Sequence, residues 1–274
     1  MPPLALTLAL SAACLHAGWN LLLARSTDTN ARTAVALASG ALIFAPLAVA
    51  VGRIDGRAFP YVAASGGFEL LYFLLLAQAY GRGEMSVVYP VARGLGPVLV
   101  LVVSVAALSA PWSPPQVFGV LLVASGILLV RGLHGRTGPV GLGLAVGVAG
   151  CIAAYTLVDK EGLRWADPLP YFWLVNFITA LGFGGVLVLR GGGSRVRREL
   201  GAESVATGLA MFSAYTLVLA ALTIAPAASV AAARETSVVV AMVLASRFLH
   251  EPVGRARYGG AALVAAGIAA LALG

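Results

Sequence analysis

Met85–Leu108, MSVVYPVARGLGPVLVLVVSVAAL, is apolar over a length that spans a bilayer, for which about 20 residues suffice, yet it holds Tyr89, Pro90, Arg93, Gly94, Gly96 and Pro97. Arg93 stands well inside the stretch. A guanidinium at membrane depth is costly and faces a partner or a wet cavity. The Gly-x-Gly-Pro run that follows predicts a weak point in the helix, tolerated where protein or a cavity satisfies the freed backbone groups. A charge and a break in one span predict a pathway through the membrane rather than an anchor. A similar pattern recurs around Arg234.

The surrounding chain has the same solvent preference. Of its 274 residues 60% are hydrophobic and 11% charged, with a mean hydropathy of +0.94; a soluble domain is about 45–50% apolar and about 25% charged. The net charge of +7 does not imply nucleic acid, because every basic residue except Arg93 and Arg234 falls between apolar segments or at their ends, where such charge sets topology. Cys14 and Cys151 lie in apolar segments and read as packing residues rather than a disulfide. The first segment lacks the basic lead of a cleavable signal.

Ten apolar segments of spanning length are marked at 3–23, 32–52, 60–80, 85–108, 115–130, 139–158, 169–189, 203–224, 227–249 and 257–273. They are too long, and alternate too little, for a transmembrane β-barrel. The expected fold is an all-α integral membrane bundle of ten transmembrane helices. Arg25, Arg32, Arg82, Arg131, Arg136, Arg190, Arg195, Arg197, Arg198, Arg247, Arg255 and Arg257 follow odd-numbered segments; Arg53, Arg57, Lys160 and Arg164 follow even ones. That bias predicts cytoplasmic odd loops and both termini outside.

At one constant offset Arg93 overlays Arg234, Pro111 overlays Pro252, Gly119 overlays Gly260 and Gly126 overlays Gly267. A slightly shorter offset lays Trp19-Asn20 over Tyr155-Thr156. Chance matching between Gly-rich segments is the competing explanation, and four residues at a single offset argue against it. The chain therefore divides into two five-helix repeats, 1–134 and 135–274. An odd number of spans inverts the second repeat in the membrane, an arrangement typical of carriers whose site lies near the midplane.

His16, Trp19 and Asn20 share one face of the first helix, a set suited to a small zwitterion or an aromatic ligand, or to interhelical hydrogen bonding. Tyr155 and Asp159 share a face of the sixth; Asp159, close to the segment end, is expected to be a solvated terminus. Glu69, among Phe68, Tyr72 and Phe73, must protonate or pair with a cation, and Arg93 and Arg234 are its natural partners. Glu235 adds a second intramembrane acid. As a neighbour of Arg234 on a helix it should point about 100° away and need its own partner. Glu69 and Glu235 are thus candidates for proton coupling, with a static charge network as the alternative. Tyr89, one turn before Arg93, and Ser237, after Arg234, are placed to meet a substrate. His134 and His250 lie in loops; no spacing suggests a metal or another cofactor, no Walker loop appears, and no catalytic triad can be assembled. Glu251-Pro252 reads as a helix boundary.

HAGWNLLLAR at 16–25, AYGRGEMSVVYPVARGLGPVLV at 79–100, ARETSVVVAMV at 233–243 and FLHEPVGRARYGGAALVAAGIAALAL at 248–273 resemble EamA-type members of the drug/metabolite transporter superfamily over essentially the whole chain. The resemblance implies two inverted five-helix repeats around a cavity opened alternately to each side, with amino acids, other metabolites or drugs as cargo. The chain departs from a symmetrical pattern: no Tyr-Pro pair precedes Arg234, and Gly94 stands opposite Glu235. The expected function is a proton-coupled or facilitative carrier of a small organic molecule. Arg93 and Arg234 would hold an anionic group, and Trp19, Tyr72 and Tyr89 would shape the pocket. Its partners would be that substrate, lipid and, if coupled, protons, with no nucleic acid. The rival readings are an intramembrane enzyme or lipid scramblase, and a structural subunit without a cavity. Arg-heavy, Lys-poor usage suggests a bacterial inner membrane.

Overall fold

A computed structural model describes residues 1–82, 85–131, 138–248 and 254–273, with side chains described outside 80–90, 131, 245 and 248. The Tyr89 side chain, His134, His250 and Glu251-Pro252 lie outside that set. The described chain is helical: α1 Pro3–Ala24, α2 Thr29–Ala50, α3 Phe59–Arg82, α4 Met85–Ala106, α5 Pro114–Arg131 and α6 Pro139–Gly162, then α7 Pro168–Leu187, α8 Gly193–Arg198, α9 Ala202–Ile224, α10 Ala227–Arg234, α11 Ser237–Phe248 and α12 Arg255–Leu273. Eight spans among the described residues are long and apolar enough to cross a membrane, and Val91–Ala106 and Pro114–Val130 are shorter apolar helices.

Local chemistry sets the ends. Proline stands in the first turn of α1, α6 and α7, where its missing N–H costs nothing. Asp28 caps α2 by accepting from Ala31 N at 3.0 Å. Three expectations change. α4 runs unbroken from Met85 to Ala106; Gly94 and Gly96 serve close packing, since a Cβ on them would sit 3.3 Å from the Ala124 carbonyl and 3.3 Å from Ile152 Cγ2. The break falls in the ninth segment instead, where α10 ends at Arg234 and α11 starts at Ser237, with Glu235 and Thr236 in the turn between. Arg190–Arg198 is a kink followed by α8 rather than a plain connector, with Gly191 at φ +80°.

α5 packs along α12, α1 along α9, α3 along α6, α4 along α6, and α2 along both α7 and α9. Glycines set the closest approach. A Cβ on Gly126 would lie 2.6 Å from the Gly260 carbonyl, and one on Gly119 would lie 2.9 Å from that of Gly267, so α5 and α12 run antiparallel with backbones touching. α2 and α7 are joined by Trp173 Nε1 donating to the Ala41 carbonyl (2.7 Å) and Asn176 Nδ2 to that of Leu37 (3.1 Å).

Each end of the bundle has its own clasp. At one, Arg32 pairs with Glu199 (2.8 Å) and Glu203 (2.9 Å), while Arg195 donates to Asp28 at 2.5 Å. Glu199 also accepts from Thr27 and Asp28 backbone N–H groups, both at 3.1 Å. Arg32, expected as a loop charge, is therefore buried and paired. The hydrogen bond from Arg195 holds the Asp28 carboxyl below its usual range. Burial pushes Glu199 up, but donation from Thr27 and Arg32 outweighs it and leaves that carboxyl low as well. At the other end, Ile54 and Ala166 form an isolated antiparallel bridge through Asp55 N to Trp165 O and Asp167 N to Arg53 O, both 2.8 Å. The Arg57 guanidinium lies 3.6 Å over the Trp165 ring, and its hydrogen bond holds exposed Asp55 at about 2.

Candidate functional site

α1, α2, α3, α4, α6, α7, α9 and the end of α10 line a cavity of about 630 Å3, counted as all space unfilled by atoms and including its open side. α1 contributes His16 and Trp19, whose rings meet edge-on at 4.6 Å; α3 contributes Glu69, Tyr72 and Phe73. α4 and α10 supply Arg93 and Arg234, and α6 supplies Tyr155. Phe172 and Asn176 of α7 and Tyr215 of α9 complete the wall. A second space of about 420 Å3 shares Trp19, Tyr72, Phe73 and Arg93 with the first and continues past Asn20, Asn30 and Thr33 toward the Asp28 end.

Both arginines converge on one carboxylate. Arg93 Nη1 donates to Glu235 Oε1 at 3.0 Å, and Arg234 Nη2 lies 3.6 Å from the same oxygen. Glu235, the C-cap of α10, keeps helical φ/ψ, and the partner it needs on another helix is Arg93, while the long Arg234 side chain reaches the same oxygen. Arg93 also meets His16 Nε2. Arg234 Nε and Glu235 Oε2 are buried and make no hydrogen bond. One anion thus faces two cations at this point of the wall, with Glu69 a second carboxylate on the same cavity.

Glu69 differs from expectation: its Oε2 accepts from Thr179 Oγ1 at 3.1 Å, while the two arginines turn to Glu235. Asp159 is the larger correction. It is fully buried, not a solvated terminus, and accepts from the Tyr171 hydroxyl at 3.0 Å and the Tyr215 hydroxyl at 2.5 Å. Gly162 makes this possible, because a Cβ there would come 2.5 Å from the Tyr171 ring.

His16, Trp19, Glu69, Tyr72, Arg93, Tyr155 and Arg234 are therefore brought together as expected. Asn20 is not at the central cavity; its amide donates to the His16 carbonyl at 2.7 Å and borders the second space. Ser237 is buried outside the cavity wall, its hydroxyl without a partner. Sequence reasoning missed Asn176, Phe172 and Tyr215. Asn176 and Tyr215 were visible as polar groups deep in the seventh and eighth segments.

An apolar helical bundle with charges and aromatic rings turned onto an interior cavity is built as a multi-pass membrane protein with room for a small ligand. Residues 139–273 match the profile of the EamA-like transporter family, consistent with a member of the drug/metabolite transporter superfamily. A solved structure titled only as a crystal structure of a protein superposes with a TM-score of 0.76 at 18% identity, covering 98% of this chain and 98% of its own. That likeness extends the shared fold across both halves. Comparison with curated proteins finds none that matches.

Proposed function

We propose that the chain is a secondary carrier that moves a small organic metabolite, such as an amino acid, an organic anion or a drug-like compound, by alternating access between two inverted five-helix repeats, 1–134 and 135–274. The observation that carries the reading is the pair Arg93 and Arg234 on the wall of an aromatic-lined interior cavity, sharing a single carboxylate. Guanidinium groups suit an anionic group of the cargo, and Trp19, Tyr72 and Tyr155 offer faces to an apolar or cationic remainder. Glu69, held by one neutral hydroxyl, is the wall carboxylate free to exchange a proton with solvent that enters. Glu235 is engaged by both guanidiniums and serves as their fixed counter-charge.

The inverted repeat draws support from packing. Gly119 overlays Gly260 and Gly126 overlays Gly267 in sequence, and in space Gly119 faces Gly267 while Gly126 faces Gly260. A twofold axis between α5 and α12 demands that reciprocal pattern, in which residue i meets j and j meets i. The pairs α1–α9 and α6–α3 exchange under the same axis, as do the clasps at the two ends. Arginine-rich composition favours a bacterial inner membrane with the Asp28 end cytoplasmic.

The test is uptake of a panel of amino acids and organic anions into proteoliposomes, with and without an imposed pH gradient. At least one compound should accumulate, and Arg93→Ala should lose that uptake while remaining folded. Unaltered transport by Arg93→Ala would remove the arginines from the site.

A further inference from the structure

Asp159 lies behind the cavity wall, and the carrier reading leaves it without a role. Its carboxylate is fully buried. Tyr171 of α7 donates to one oxygen at 3.0 Å, and Tyr215 of α9 to the other at 2.5 Å. Facing it from α3 are Ser65, whose buried hydroxyl has no hydrogen bond within 3.5 Å, and Glu69 one turn further on. Arg234 of α10 acts on it from longer range. Nearby Lys160 is turned away, donating to the Leu222 and Ala225 carbonyls at the end of α9. Asp159 thus has neutral hydroxyls as its close partners, an environment in which a carboxyl takes a proton without breaking an ion pair.

We propose that Asp159 is a proton-binding site whose occupancy reverses its hydrogen bond to Tyr215 and so changes what Tyr215 presents to the cavity. In the ionised form Tyr215 Oη–H donates to Asp159 Oδ2, and its phenol offers the cavity only lone pairs. When Oδ2 takes up one proton, the new O–H donates to Tyr215 Oη. The phenolic hydrogen then rotates away, free to bond a ligand oxygen or the neighbouring Tyr155, whose ring centroid is 5.8 Å away. One O–H bond forms at Asp159, none breaks at Tyr215, and only hydrogen-bond polarity changes. Ser65, one helical turn before Glu69 on the same face of α3, borders Asp159. Two hydroxyl hydrogens aimed at the carboxylate leave little of the oxygen lone-pair cage that a metal cation needs, and the proton is accordingly the occupant. The consequence for transport rests on the carrier reading; the proton site does not.

Infrared difference spectroscopy on the full chain in phosphatidylcholine vesicles, titrated with acid alone, tests it. The wild type should gain the carbonyl stretch of a protonated carboxyl together with a tyrosine-hydroxyl change, both lost in Asp159→Asn. Tyr215→Phe should keep the carbonyl band at a shifted frequency, and this second variant decides the matter where Asp159→Asn fails to fold. A carbonyl band that survives in Asp159→Asn, or stays unshifted in Tyr215→Phe, overturns the assignment. With the bands as expected but no dependence of uptake on a pH gradient, the proton-coupled reading fails while the site stands. Gradient-driven uptake unchanged in folded Asp159→Asn, with its bands also unchanged, leaves the carrier and removes the site.

Discussion

Arg93 of α4 and Glu235 in the α10–α11 turn meet at 3.0 Å with both side chains at 5% exposure or less, joining residues from opposite halves of the chain. The same Glu235 oxygen also faces Arg234 at 3.6 Å, so one anion answers two cations. Buried pairs of this kind cost much to break from one side, about 3–5 kcal/mol, because the remaining charge stays buried.

Glu235→Gln should therefore destabilise the protein more than Arg93→Met or Arg234→Met. It leaves two guanidiniums facing each other, whereas either arginine variant leaves a pair intact. Unfolding in detergent micelles, followed by heat and by denaturant, ranks the three. Equal losses would mean that the two arginines do not depend on the shared carboxylate.

Two kinds of glycine, those in the α5–α12 seam and Gly18 of α1, carry predictions of opposite sign. Alanine at Gly126 or Gly260 would place a Cβ 2.6 Å from a facing backbone carbonyl, which neither helix can yield cheaply. A loss of about 1–3 kcal/mol follows from overpacking. Gly18, in the middle of α1 with nothing within 4 Å of its Cβ position, should instead accept alanine and gain about 0.5–1 kcal/mol in helix propensity. Thermal midpoints of the three variants check the contrast.

The all-helical membrane fold was legible because its signal is simple: apolar segments of spanning length admit few alternatives. Seven of the residues expected at a site line one cavity, since charged and aromatic groups at membrane depth have few places to point. What escaped was set by tertiary contact. The glycines of α4 looked like a break and proved to be packing surfaces against α5 and α6. Glu235 sits at the C-cap of α10, and only the arrival of α4 brings Arg93 onto the carboxylate that Arg234 also reaches. Asp159 sits near the end of its helix, and only the arrival of Tyr171 and Tyr215 from other helices buries it. No spacing along one segment reports such convergence.

The clasp at the Asp28 end should make stability sensitive to acid. Asp28 and Glu199 both titrate below the usual carboxylate range in the folded state, so the unfolded chain binds more protons in mild acid. Their contribution is full above the ordinary carboxylate pKa of about 4 and is lost as pH falls through the lower folded values. Unfolding midpoints measured across acid pH should decline in the wild type and flatten in Asp28→Asn/Glu199→Gln, at lower overall stability. An undiminished acid decline in the double variant would trace it to other carboxylates.

The backbone bridge at the other end allows alternating access to be tested directly. Ile54 and Ala166 face each other as a pair flanked by, rather than sharing, the two 2.8 Å hydrogen bonds. Such pairs have Cα atoms about 4.5 Å apart, within the roughly 4.4–6.8 Å that a disulfide spans. Ile54→Cys/Ala166→Cys, in a chain whose free Cys14 and Cys151 are replaced by serine and alanine, should close into a disulfide under oxidant. If this clasp must part for the cavity to open on its side, oxidation should abolish net uptake in proteoliposomes and reductant should restore it, while thermal stability rises in the oxidised form. Each half of the result matters: cross-linked protein that still transports at the reduced rate would show that Arg53–Asp167 pairing is a fixed strut, and passage would then have to open elsewhere in the bundle.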